Sequence, residues 1–139
     1  MGRDCKLLHT IEIEDVITKI YTSKRAKKPI YISYNAIYST PHYSIRSKVI
    51  NDMKLMLFPF MASIKKISTP VSIVYEYSSK KTIFDLDNKV DIWAKVFHDC
   101  LKGAKIPDDN VKWIKKKTTE YIYREDPRDR LVIKIYKYK

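Results

Sequence analysis

Glycine is nearly missing from this chain: among 139 residues only Gly2 and Gly103 occur. Loops that cradle phosphates in P-loop or dinucleotide-binding folds need several residues without Cβ beside the anion, so a nucleotide cofactor is not expected. Cysteine is equally scarce. Cys5 and Cys100 stand far apart, Cys100 falls on an apolar helix face, and both are expected as reduced thiols in a cytoplasmic setting. The three histidines, His9, His42 and His98, are scattered singly, and no Cys/His spacing resembles a zinc site. Nothing approaches the ~20 consecutive apolar residues of a membrane span. The stretch Met1 to Thr10 lacks the apolar core of a signal peptide, so no membrane partner is expected.

What the chain has in excess is positive charge. Lys and Arg number 28 against 16 Asp and Glu, a formal net charge of +12. Such a balance attracts acidic surfaces, nucleic acid first and an anionic membrane second. Eleven tyrosines interleave with the lysines. Aromatic faces stack on bases while ammonium groups meet phosphates, which favours nucleic acid. The same residues also fill half-buried strands.

Periodicity divides the chain into short elements. Residues 6–22 carry an apolar stretch (Ile11, Ile13, Val16, Ile17, Ile20) of unassigned type, and Lys24 to Lys28 form a basic linker. Ile30 to Tyr38 alternates and predicts a strand. Thr40-Pro41 signals a helix start; Ile45, Val49, Met53, Met56 and Phe60 keep helical spacing, and Pro59 ends or kinks that helix. Val71, Ile73, Tyr75 and Tyr77 predict a second strand. A helix follows over about 88–102, with Gly103 placed to stop it. Val111 to Tyr123 and Leu131 to Tyr138 read as an antiparallel pair joined through Glu125-Asp126-Pro127-Arg128-Asp129. The expected class is α/β with a mixed sheet, in the order β-α-β-α-β-β after the N-terminal element.

Against the basic background, Phe84-Asp85-Leu86-Asp87-Asn88 and Pro107-Asp108-Asp109-Asn110 concentrate carboxylates. Like charges cluster at a cost unless a cation or a proton offsets it. Asp85 and Asp87 leave the same side of an extended chain, and Asp87, Asp91, Lys95 and His98 then share one polar helix face opposite Val90, Trp93, Phe97 and Leu101. Carboxylate oxygens in such a set suit Mg²⁺ or Mn²⁺, and a metal there polarises a phosphodiester and activates water. The plainer alternative makes Asp85 or Asp87 a helix cap and 107–110 a polar turn. An EF-hand-type calcium loop is a poor alternative, because Lys89, Val90 and Val96 stand where ligands and glycine belong. Lys112, Lys115, Lys116 and Lys117 form the densest basic run, fit for DNA-backbone contacts or for a solvated edge strand.

Asp-Leu-Asp-Asn, an amphipathic helix, a glycine, then Asp-Asp and a Val-containing strand resembles the RusA family of Holliday junction resolvases over roughly residues 71–136. The resemblance implies a RusA-like nuclease domain over 29–139, with 1–28 an N-terminal extension. It implies a homodimeric, Mg²⁺-dependent endonuclease that cuts four-way junctions in DNA recombination and repair, with branched DNA as partner. Two-fold symmetry suits paired nicks. Position by position, Asp85, Asp87 and Asp109 match the family's metal-binding aspartates, Asp108 a supporting acid and Asn88 the asparagine after the first pair. The family places a catalytic lysine four residues after the second aspartate. Here that position is Asp91, which leaves Lys89 or Lys95 to supply the positive charge, or Asp91 to add a ligand.

Overall fold

The computed structural model describes residues 6–21, 28–39, 43–80 and 86–138. Its main sheet has four strands in the order β1-β6-β4-β5: β1 (Leu7–Ile13), β4 (Val71–Ser79), β5 (Ile114–Tyr123) and β6 (Arg130–Lys137). A two-stranded ribbon of β2 (Lys19–Ile20) and β3 (Ile30–Tyr31) and the helices α1 (Tyr34–Tyr38), α2 (Tyr43–Met61) and α3 (Leu86–Leu101) complete it. No described helix is long and apolar enough to cross a membrane.

The apolar content of each strand decides its place. In β4 every residue but Glu76 is buried, as a strand with neighbours on both sides must be. It pairs in parallel with β5 and antiparallel with β6. Parallel pairing requires a crossover, and α3 supplies it. Val90, Trp93, Phe97 and Leu101 bury one face of α3, and Phe97 packs edge-on against Tyr75 of β4 with ring centroids 6.3 Å apart. Asp87 in the first turn suits the positive end of the helix dipole. Gly103, the one described residue with positive φ (75°), ends the helix as the spacing predicted. In α2 the buried stripe is Val49, Met53, Leu57 and Met61, and Pro59 sits inside the last turn.

Three expectations change. The strands β5 and β6 do not pair with each other; β4 lies between them. Strand β5 is polar and exposed along most of its length, so it takes an edge, whereas Leu131, Val132, Ile133 and Ile135 of β6 are buried. The connection at 124–129 therefore passes the end of β4, where the Tyr77 hydroxyl donates to the Asp129 carboxylate and the backbone N–H of Val16 donates to the Asp129 carbonyl at 2.9 Å. Arg124 and Arg128 both pair with Asp126, and these partners hold the Asp126 carboxyl well below the usual carboxylate range.

The stretch Ile30 to Tyr38 is not one strand. After the two residues of β3 the Ser33 side chain accepts a hydrogen bond from the Ala36 N–H and caps α1. A local cap overrides the alternation. Finally, the described part of residues 1–28 is no appendage. Strand β1 pairs with β6 from Leu7↔Tyr136 to Ile13↔Leu131, and Ile11, Ile13, Val16 and Ile20 belong to the hydrophobic core. The signals at Thr40-Pro41 and the linker Lys24 to Lys27 fall outside the described residues.

Ile11→Ala is therefore expected to cost about 2–5 kcal/mol, the range for truncating a buried isoleucine. Urea denaturation measures this; an appended segment would leave the midpoint unchanged.

Candidate functional site

The α3 crossover leaves a groove between its polar face and the edge strand β5. A cleft of about 350 Å³ opens there, lined by Asp91, Ala94, Lys95, His98 and Asp99 of α3, Lys117 of β5, Asp109 of the loop before β5, and Tyr34 of α1. The register explains the part played by Lys117. It pairs with Ile73, a core residue, so its side chain leaves the sheet on the helix-bearing side. From there its Nζ reaches Asp91 Oδ1 at 2.9 Å.

His98 shares the cleft's electrostatics. Burial lowers its pKa to about 4, with the Lys117 charge adding to the effect and Asp109 and Asp99 opposing it. The imidazole is thus neutral at pH 7. Its ring centroid lies 6.0 Å from that of Tyr75. His98 Nε2 and the Tyr75 hydroxyl are both buried without a hydrogen-bond partner among the described residues, and such atoms are costly to leave unsatisfied. A neutral imidazole nitrogen can accept a proton or a hydrogen bond.

Four of the residues singled out in the sequence meet in this cleft: Asp91, Asp109, Lys95 and Lys117. The others are elsewhere. Asp87 is in the first turn of α3, eleven residues and about 16 Å of helix axis before His98. Lys89 follows it in the same end of the helix. Asn88 Oδ1 accepts a hydrogen bond from the Asn35 N–H at 2.8 Å, so this side chain fastens α1 to α3. Asp108 builds a turn: its Oδ1 accepts from the Asp109 N–H at 2.7 Å, and its Oδ2 lies 3.3 Å from Asn110 Nδ2. Its pKa is lowered chiefly by that backbone hydrogen bond. Lys112 sits in the turn before β5. Lys116 pairs with Ser72, one step out of phase with Lys117, and faces the other side of the sheet; Lys115 is exposed at the strand's register irregularity. Asp85 lies outside the described residues.

Among the described residues no three His, Cys, Asp or Glu side chains are grouped so as to hold a metal ion. Asp91 is occupied by Lys117. The described carboxylates therefore do not by themselves form the donor set that Mg²⁺ or Mn²⁺ requires.

Tyr34 and Asp99 had no signal in the sequence as site residues, and His98 had only its shared face with Asp91 and Lys95. Tyr34 arrives through the docking of α1, a tertiary event with no local pattern. No known family matches the chain, and no curated protein matches it either.

The depressed pKa of His98 has a definite consequence for stability. The unfolded state, with the imidazole near 6.5, binds more protons than the folded state between about pH 4 and 6.5, so stability falls as pH is lowered through that window. His98→Gln is expected to flatten the pH dependence of urea stability there. Lys117→Met is expected to raise the His98 pKa while leaving it below 6.5, because burial persists; NMR titration of the ring protons reads this directly.

Proposed function

We propose that the protein is a nucleic-acid hydrolase, an endonuclease acting on branched DNA such as four-way junctions. The supporting observation is the cleft between α3 and β5, where Asp91, Asp109, Lys95, Lys117 and a neutral His98 line one opening in a chain of net charge +12. The basic excess draws a polyanion toward the surface and raises its rate of encounter. Carboxylates set beside lysines then give a site where a phosphodiester meets both charge-balancing cations and acceptors of a proton.

The parts follow from chemistry already described. Lys95 and Lys117 balance charge on the phosphoryl oxygens, and Asp91 holds Lys117 in place. His98 Nε2, neutral and without a partner among the described residues, is an acceptor at the buried side of the cleft. On the resemblance to RusA-type resolvases Asp85, Asp87 and Asp109 would hold Mg²⁺ or Mn²⁺, which would supply an activated water; the described carboxylates alone do not assemble that set, and Asp87 stands outside the cleft that holds Asp109. The same reading includes a homodimer, since two coordinated nicks across a junction need two sites.

A second reading, a basic nucleic-acid-binding protein without catalysis, is favoured by one specific observation. The position of the family's lysine is Asp91, and it is tied to Lys117. A single experiment separates the two. Labelled four-way junction, duplex and single strand are incubated with and without Mg²⁺ or Mn²⁺. The nuclease reading expects metal-dependent nicks in the junction; salt-sensitive binding without nicks under any condition establishes the binder instead. Asp87→Asn is expected to abolish cleavage while junction binding survives or tightens, because a negative charge facing DNA is removed. Loss of both together would make Asp87 a structural residue.

A further inference from the structure

The sheet has two chemically different ends. Acidic residues at the end where β1 and β4 finish are neutralised in pairs: Glu14 by Arg124 and Arg130, Glu12 by Arg130, Asp126 by Arg124 and Arg128. At the other end, where β1, β4 and β5 begin and β6 finishes, cations dominate. A cleft of about 380 Å³ opens there at the β1 edge, lined by Lys6, His9, Lys65, Lys66, Ser68 and Thr69 among others. Among the described residues no acidic side chain lines it, and Lys6, Lys65 and Lys66 have no ion-pair partner.

The cleft wall is held in shape. His9 Nε2 accepts a hydrogen bond from the Lys65 N–H at 3.2 Å, which keeps the ring proton on Nδ1. The Ile67 N–H donates to the Lys105 carbonyl at 2.7 Å, the Tyr138 N–H to the Pro70 carbonyl at 2.9 Å, and the Lys137 N–H to the Lys6 carbonyl at 2.7 Å. Ile64 and Ile67 anchor the loop in the core. The local field is positive: after burial, the charges of Lys65 and Lys105 lower the His9 pKa, with no carboxylate among the described residues opposing them. Cations, hydroxyls and a fixed loop together are the means of binding a phosphate.

Register places this cleft relative to the first one. His9 pairs with Ile135, Ile135 with Ile73, and Ile73 with Lys117. The two clefts thus stand at opposite ends of one row across the sheet, three strand spacings or about 14 Å apart. Lys105 and Lys112 lie in the loop between α3 and β5 at the same end.

We infer that the cleft of Lys6, Lys65, Lys66, Ser68 and Thr69 binds a backbone phosphate of a nucleic-acid strand whose neighbouring segment occupies the α3–β5 cleft. The source of the phosphate, a strand and not a free anion, rests on the function proposed above. Ile135 and Ile73 between the clefts are buried beneath the helices, so a strand joining the clefts passes around this end of the sheet and spans more than the roughly four nucleotides that ~14 Å would take at 3.4 Å each. This second hold fixes the strand's direction across the first cleft and carries no base specificity.

The test is the salt dependence of binding to a labelled four-way junction. The double variant Lys65→Gln/Lys66→Gln is compared with wild type and with Lys19→Gln/Lys28→Gln, an equal charge change at exposed positions around β2 and β3. Thermal melts establish that all three fold. The cleft variant is expected to bind roughly tenfold more weakly at ~100 mM salt, with the slope of log K against log salt reduced by about 2, one per lost phosphate contact. The control variant is expected to keep the wild-type slope. Equal slopes in all three proteins, or equal reductions in both variants, would overturn the site while leaving nucleic-acid binding standing. Should wild type bind no nucleic acid at low salt, the function proposed above fails, and titration with inorganic phosphate followed at the His9 ring decides what remains. A saturable shift absent from the cleft variant would replace the strand with a free phosphate as ligand; no shift would remove the site altogether.

Discussion

The insertion of β4 between β5 and β6 is the constraint on which the rest of the structure depends. Strand β4 is buried on both faces apart from Glu76, and such a strand is stable only with a hydrogen-bonded neighbour on each side. Parallel pairing with β5 forces the chain through α3, and that crossover sets the polar face of the helix beside an edge strand. Antiparallel pairing with β6 in turn brings in β1, whose Ile11 and Ile13 complete the core. The candidate site is a consequence of this packing. Lys117 meets Asp91 because its partner in the sheet, Ile73, is a core residue and the two must point the same way.

Charge is distributed along the strands as unevenly as apolar surface is across them. At one end, arginines and carboxylates of β1, β6 and the 124–129 connection neutralise one another, and exposed pairs of this kind contribute little to stability. Their effect is to cancel charge locally. Among the described residues, Lys6, Lys65 and Lys66 on the opposite end, beside the strand starts, have no such ion-pair partners. A polyanion approaching this molecule meets a field with a direction, and the neutral imidazole of His98 lies within reach of its effects through Lys117 and Asp109.

Much of this is legible in the residue order, and what is not has identifiable causes. Helix α3 and its stop at Gly103 follow from periodicity and from the φ that glycine alone adopts without strain. The alternation of Val71, Ile73, Tyr75 and Tyr77 marks β4 equally well. The alternation in Ile30 to Tyr38 misleads, because the Ser33 cap supplies a local alternative to strand pairing and the distant Asn88 side chain holds the resulting helix. The two final strands look like a hairpin because they are adjacent in the chain and joined by a turn-rich loop. Nothing local reveals that a strand from forty residues earlier fills the place between them. Asp91, Asp109, Lys95 and Lys117 are visible as candidates from charge alone, but their meeting is not, and Tyr34 is invisible.

The amino-acid order by itself determined which faces are apolar, where helices stop, and that acidic groups stand out in a basic chain. These are properties of neighbours in sequence, governed by side-chain period and backbone conformation. Only the tertiary structure decided that Asn88 fastens α1 to α3, that Asp109 but not Asp87 enters the cleft, and that Lys117 answers Asp91. Those outcomes depend on strand order, which is set by competition among apolar strands for the centre of the sheet, and that competition involves the whole chain at once.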